Sequence, residues 1–117
     1  MKNTLPLRLN YEFAKVYRRG SYFSGRYVVL HCIRNGKTAS RLGVTTSKKV
    51  KGSVSRNRMR RLLRESYRLR EDNIKAGYDI ILLGRENPEG LKQDQIDREV
   101  VYLCKKAGIW TSDDGTS

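Results

Sequence analysis

Between Lys48 and Arg70 the chain reads KKVKGSVSRNRMRRLLRESYRLR. Ten basic residues and one acid, Glu65, fall in this stretch, so it holds +9 of the formal net charge of +13. From Val54 onward the pattern predicts a helix: Arg, Met and Leu are good helix formers, and no Gly or Pro interrupts them. Met59, Leu62, Leu63, Ser66 and Tyr67 recur at spacings of three and four and share one face. At about 100° per residue, Asn57, Arg60, Arg61, Arg64 and Arg68 fall on the opposite face. The pairs Arg56/Arg60, Arg60/Arg64 and Arg64/Arg68 each set like charges four residues apart, at a cost of roughly 0.2–0.5 kcal/mol per pair. A merely solvated face mixes its signs to avoid that repulsion. An unmixed face calls for a polyanionic partner, and the Arg excess suits phosphate oxygens, which the guanidinium fork grips two at a time.

At 117 residues the chain is long enough for one small core. Its 25 basic residues against 12 acids and its pI of about 10.1 fit a phosphate-backbone binder. A membrane-surface helix would set Trp and Phe opposite its charges; this one sets a modest Met/Leu/Tyr face there. No apolar run reaches spanning length. The opening MKNTLPLRLN lacks the apolar segment of a signal peptide. Cys32 and Cys104 are isolated thiols without CxxC or metal-ligand spacing, so reduced core cysteines in a cytoplasmic protein are expected. His31 is the only histidine. No Walker loop, no carboxylate pair and no nucleophile–base constellation stands out, so no catalytic residue and no metal ligand is assigned to the chain itself.

In chain order, residues 1–9 form a basic-apolar lead. A helix capped by Asn10 runs to about Arg19, stopped by Gly20, with Phe13, Val16 and Tyr17 on one face. Ser21–Gly25 is a short extended piece. Residues 27–33 are rich in β-formers. Asn35-Gly36 predicts a hairpin turn into a return strand over 40–48, with Gly43 as a bulge. Ser53 is the expected cap of the basic helix. Asp79–Leu83 suits a strand buried on both faces. Leu91–Lys106 is a last helix with Ile96, Val100, Leu103 and Ala107 inward, ended by Gly108. Residues 1–110 are expected to form a single RNA-binding domain, and 111–117 a disordered polar tail.

The run Ser55-Arg56-Asn57-Arg58-Met59-Arg60-Arg61-Leu62-Leu63-Arg64-Glu65, with Ser47-Lys48-Lys49 and Gly52-Ser53-Val54 before it, closely resembles the signature of the protein subunit of bacterial ribonuclease P. Phe13, Tyr17 and Gly20 after an opening Leu-Arg, Arg41-Leu42-Gly43, and Gly77-Tyr78-Asp79-Ile80 followed by Arg85 are similar to the same family. Together these features cover about residues 5–107. The resemblance implies an α/β (α+β) two-layer sandwich of α-β-β-β-α-β-α order. It has one mixed sheet, Ser21–Gly25 as its first strand, and a left-handed crossover through the basic helix.

It also implies two RNA surfaces. Lys48, Lys49, Lys51, Arg56, Asn57, Arg58, Arg60, Arg61, Arg64 and Arg68 would meet a catalytic RNA subunit. Phe13, Tyr17 and His31 would line a cleft for the single-stranded 5′ leader of precursor tRNA. By residue type alone, Phe13 and Tyr17 fit an ordinary core stripe, and Arg56 and Asn57 fit helix-entry polarity. Two departures from the family pattern are Ser53, where Ala is usual, and His31, where an aromatic is frequent. The implied function is the protein component of the ribonucleoprotein that removes the 5′ leader, with Mg²⁺ held mainly by the RNA. Neither a membrane nor a small-molecule substrate is expected as a partner. The rival reading is a ribosomal or general RNA-binding protein without enzymatic assembly.

Overall fold

A computed structural model describes residues 3–111. Its elements are β1 (Thr4–Pro6), α1 (Asn10–Arg19), β2 (Ser21–Ser24), β3 (Val28–Arg34), β4 (Ser40–Thr46), α2 (Ser53–Arg70), a 3₁₀ turn over Glu71–Asn73, β5 (Tyr78–Gly84) and α3 (Gln93–Lys106). The strands form one mixed sheet in the order β1-β4-β5-β3-β2. The expected helix and strand order holds, with one addition. Thr4–Pro6, read as part of a lead, pairs parallel with β4 and forms an edge strand.

The centre of the sheet is β5, as its unbroken Ile80-Ile81-Leu82 run requires. A strand apolar on both sides gains most where helices cover both faces. Ile80 and Leu82 face α2 and α3 in the main core with Leu30, Met59, Leu63 and Leu103. Ile81 faces the other way, into a smaller cluster with Leu7 and Val16. The expected two-layer sandwich is thus the α2/α3 side of the sheet, and α1 adds a partial third layer. Burying each such Leu or Ile contributes roughly 1.5–3 kcal/mol relative to exposure, so the α2/α3 side carries most of the stability.

The Asn35-Gly36 hairpin does not form. β3 pairs antiparallel with β5 and β4 pairs parallel with β5, so β5 separates the two strands the turn was expected to join. The segment 35–39 instead bridges the start of β5. Asn35 donates its N–H to Gly77 O at 2.9 Å and its side-chain amide to Ala39 O and Asp79 Oδ1, both at 3.0 Å. A five-residue span replaces the tight turn because the more apolar β5 takes the inner position.

Other local expectations shift for equally local reasons. Leu9, not Asn10, caps α1, because the Glu12 carboxylate reaches back to the N–H groups of Arg8 and Leu9 at 3.1 and 2.9 Å. Gly52 rather than Ser53 caps α2; the chain enters there at φ +84°, a conformation glycine adopts at little cost. Gly43 is no bulge: it pairs regularly with Ile81. It is glycine because the Phe13 ring packs on it, and a Cβ there would stand 2.5 Å from Phe13 Cζ.

Past α3, Ile109 is buried and Trp110 bridges Ile74, while Thr111 donates its N–H to Asn73 O at 2.7 Å. Thr111 is therefore tied to the fold, and the rest of the expected polar tail, 112–117, lies outside the described residues. Cys32 and Cys104 are free and buried in the main core, and burial pushes the Cys104 thiol up to about 12. No helix among the described residues is long and apolar enough to cross a membrane.

Candidate RNA interface

α2 buries Met59, Leu63, Ser66 and Tyr67, the face read from the sequence. Asn57, Arg61, Arg64 and Arg68 are exposed on the other side, while Arg56 and Arg60 are half-buried at the rim. Arg60 donates to Asn57 Oδ1 at 2.9 Å, and Arg68 makes a two-point bridge to Glu65, so Glu65 offsets only the end of the stripe. The loop before the helix adds three lysines. Val50, 3% exposed, pins it from inside, and Ser47 donates its hydroxyl to Arg85 O at 2.9 Å. Lys48, Lys49 and Lys51 are left exposed in the same loop.

Arg58 is placed differently from the others. Its guanidinium donates to Leu91 O and to Asn87 Oδ1, and Asn87 in turn donates to Ser55 O. It ties the 85–92 loop to α2 instead of standing free. Arg58→Ala should leave the Leu91 carbonyl without its donor and lower stability by about 1–3 kcal/mol, with the salt dependence of RNA affinity unchanged. Thermal unfolding together with a salt titration checks both; a changed salt slope at native stability would return Arg58 to the RNA face.

The second set of residues does converge. Strand register places Gly43, Ile81, His31 and Tyr22 side by side on one rung across β4, β5, β3 and β2. α1 crosses this rung: Phe13 sits on Gly43, and Tyr17 meets His31 edge-on at 4.8 Å between centroids. Phe13 and Tyr17 stand 6.3 Å apart. Tyr22 also stacks on His31 at 5.8 Å and 28° between ring planes. The next rung on this face is Thr45, Leu83, Val29 and Ser24, about 7 Å further along the strands. Thr45, Leu83 and Val29 lie outside the apolar cluster under α1 and are half-buried. The result is a trough with a sheet floor about 14 Å wide and an aromatic wall.

Tyr17 and Tyr22 are 43% and 67% exposed, which core aromatics are not. Burial lowers the pKa of His31 and raises that of Tyr17, so both rings are neutral at pH 7 and present π-faces rather than charge. Tyr22 was not singled out from the sequence. Its partner His31 is nine residues away, and only the β2–β3 register brings the two rings together.

Four carboxylates are committed elsewhere. Glu12 and Asp79 share Arg41, Asp97 holds Arg70 and Ser66, and Glu99 accepts the N–H groups of Tyr27 and Val28. Among the described residues no three His, Cys, Asp or Glu side chains group so as to hold a metal. The residues present do not fit a Mg²⁺ site.

A family model, Ribonuclease P, matches residues 1–108. The chain belongs to the ribonuclease P protein family. It is 45% identical over 105 residues to the ribonuclease P protein component of Clostridium botulinum strain Langeland, covering 89% of this chain and 95% of that one. The component from Natranaerobius thermophilus is 41% identical over 109 residues, covering 93% and 95%. Two solved structures share the fold at 27% identity. The ribonuclease P protein of Staphylococcus aureus has a TM-score of 0.79 over 91% of this chain and 97% of that one. That of Thermotoga maritima has a TM-score of 0.78 over 86% and 96%. The chain is accordingly a protein component of ribonuclease P, an accessory subunit in the enzyme that matures the 5′ end of tRNA. Membership in the ribonuclease P family displaces the reading as a ribosomal or general RNA-binding protein.

Proposed function

We propose that the chain binds two RNAs with two separate faces. The cationic face of α2 and the 47–52 loop meet the catalytic RNA subunit, and the trough beside α1 takes the single-stranded 5′ leader of precursor tRNA. The observation that carries this reading is the Tyr17–His31–Tyr22 ring cluster beside a half-buried sheet rung. Solvent-accessible rings suit unpaired bases of any sequence, since every base has a π-face. α1 and α2 lie on opposite faces of the sheet, so the two RNA partners do not compete for one surface. β4, β5 and β3 share the end at which Ser47 bonds Gly84 O and Arg85 bonds Tyr27 O. A leader leaving the trough at that end passes the lysine loop.

The chain provides binding and charge neutralisation. Lys and Arg offset phosphate crowding, which lets the RNA fill its own Mg²⁺ sites at lower concentration; the ion supplies the hydrolytic chemistry within the RNA. The site of action in this reading is the cytoplasm. The test is reconstitution with a bacterial ribonuclease P RNA and labelled precursor tRNA. Added protein should restore cleavage at the mature 5′ end at Mg²⁺ levels where the RNA alone is slow. The protein by itself, with Mg²⁺, should cleave nothing, since His31 is flanked by rings rather than by a carboxylate. Cleavage at the mature end that tracks with RNA-free protein would overturn this division of labour.

A further inference from the structure

α1 forms one wall of the trough, yet it is the most lightly held helix. Among the described residues its apolar cluster has three buried members, Leu7, Val16 and Ile81, against sixteen on the α2/α3 side. An ionic bridge supplements this contact. Arg41 on β4 donates Nε to Asp79 Oδ1 at 2.9 Å and a terminal nitrogen to Asp79 Oδ2, while its other terminal nitrogen reaches Glu12 on α1. Asn35 completes the site by donating to Asp79 Oδ1.

We infer that Arg41 is a positioning residue for leader recognition: by bridging Glu12 of α1 to Asp79 of β5, it sets how α1 stands over the sheet and so holds Tyr17 against His31.

The geometry gives the bridge that leverage. Arg41 pairs with Asp79 one rung before Gly43, Ile81 and His31. Glu12 precedes Phe13 and lies five residues before Tyr17, within one and a half turns. Arg41 and Gly43 both point at α1, two residues apart on β4; one ties the helix and the other lets Phe13 close down. Gly20 does the same at the far end, where a Cβ would stand 2.7 Å from Cys32 O.

A partly buried ion pair is a poor device for stability alone, because desolvation offsets its attraction; fixing geometry is its better-attested use. The fork matters here, since a planar guanidinium grips Asp79 at two points and reaches Glu12 with its remaining edge, a fixed geometry that a point charge does not impose. Burial would raise the Asp79 pKa, but hydrogen bonds from Arg41 and Asn35 outweigh it and hold the carboxyl below its ordinary range. Backbone N–H groups of Leu9 and Arg8, with Arg41 adding to them, do the same for Glu12. The bridge is therefore intact throughout the neutral range.

This inference rests on the leader-trough reading, and its test separates the two. Dissociation constants for precursor and mature tRNA are measured with the reconstituted holoenzyme in Ca²⁺, which suppresses cleavage. Arg41→Lys keeps the charge and loses the fork. It should reduce the preference for precursor over mature tRNA at least fivefold, with affinity for mature tRNA and for the catalytic RNA unchanged. The proton resonances of the His31 ring, displaced by the Tyr17 ring current, should move toward free-histidine positions. In the Arg41→Lys background Tyr17→Ala should add little further loss.

Glu12→Gln is the second variant. It keeps an oxygen for the Arg8 and Leu9 N–H groups, removes the charge Arg41 bridges, and should act in the same direction if Arg41→Lys does not fold. An unchanged preference or unchanged His31 resonances in a folded variant would overturn the inference. So would equal losses for both tRNAs. If Tyr17→Ala alone leaves the preference unchanged, the trough reading fails and the inference falls with it. If Tyr17→Ala lowers the preference and Arg41→Lys does not, the inference alone fails.

Discussion

Replacing Arg60, Arg61 and Arg64 together by alanine should weaken binding to the catalytic RNA by about a hundredfold near physiological salt and reduce the salt slope by about two units. Each phosphate contact contributes about 0.7–0.9 to the slope of log K against log salt. Three contacts that release counterions into roughly 0.15 M salt are then worth about two decades. The fold should survive. None of the three belongs to the buried Met59/Leu63/Ser66/Tyr67 face, and the hydrogen bond from Arg60 to Asn57 lies on the surface. Removing like charges three and four residues apart should if anything steady the helix, by roughly 0.2–0.5 kcal/mol per pair. The measurement is a filter-binding titration against salt, with far-ultraviolet circular dichroism on the same samples. A native spectrum with an unchanged slope would mean that this face does not meet RNA.

Tyr17→Ala combined with Tyr22→Ala should abolish most of the preference for precursor over mature tRNA. Base–aromatic stacking is worth about 1–3 kcal/mol per base by alanine substitution, and mature tRNA has no leader to lose. Both rings contact His31, so their contributions are coupled, and the double change should fall short of the sum of the singles. Both rings are too exposed for their loss to open a cavity, unlike Val16 beside them, which is fully buried. His31→Phe should leave the preference equal or higher, because the ring stays and its hydration is no longer at stake. Equal losses for precursor and mature tRNA in Tyr17→Ala would return Tyr17 to a packing role.

The basic helix was legible because it is a local object. The 3.6-residue period and the charge run place Leu63 inward and Arg64 outward whatever the rest of the chain does. The same holds for α1 and α3, and for β5, whose Ile80-Ile81-Leu82 run announces a strand covered on both faces. The helix caps were less legible, because a cap is a competition between neighbouring groups. Glu12 won it for Leu9, and the backbone of Gly52 won it over the hydroxyl of Ser53. The Asn35-Gly36 turn was misread because turn chemistry reports that the chain reverses. It does not report whether another strand will enter between the two arms.

By itself, then, the sequence determined every element but the Thr4–Pro6 edge strand, the apolar faces of the helices, the cationic face of α2 and, through its central motif, the family. The tertiary structure alone decided strand order and register, since these depend on which long-range pairings bury most surface at once. That register brings Tyr22 against His31, nine residues away, and it sets Arg41 between Glu12 and Asp79. It also leaves the rung Thr45–Leu83–Val29 half-buried, outside the cluster under α1. The charged face of a helix is a property of about twenty consecutive residues, whereas a trough between a helix and a sheet exists only after four strands have been ordered.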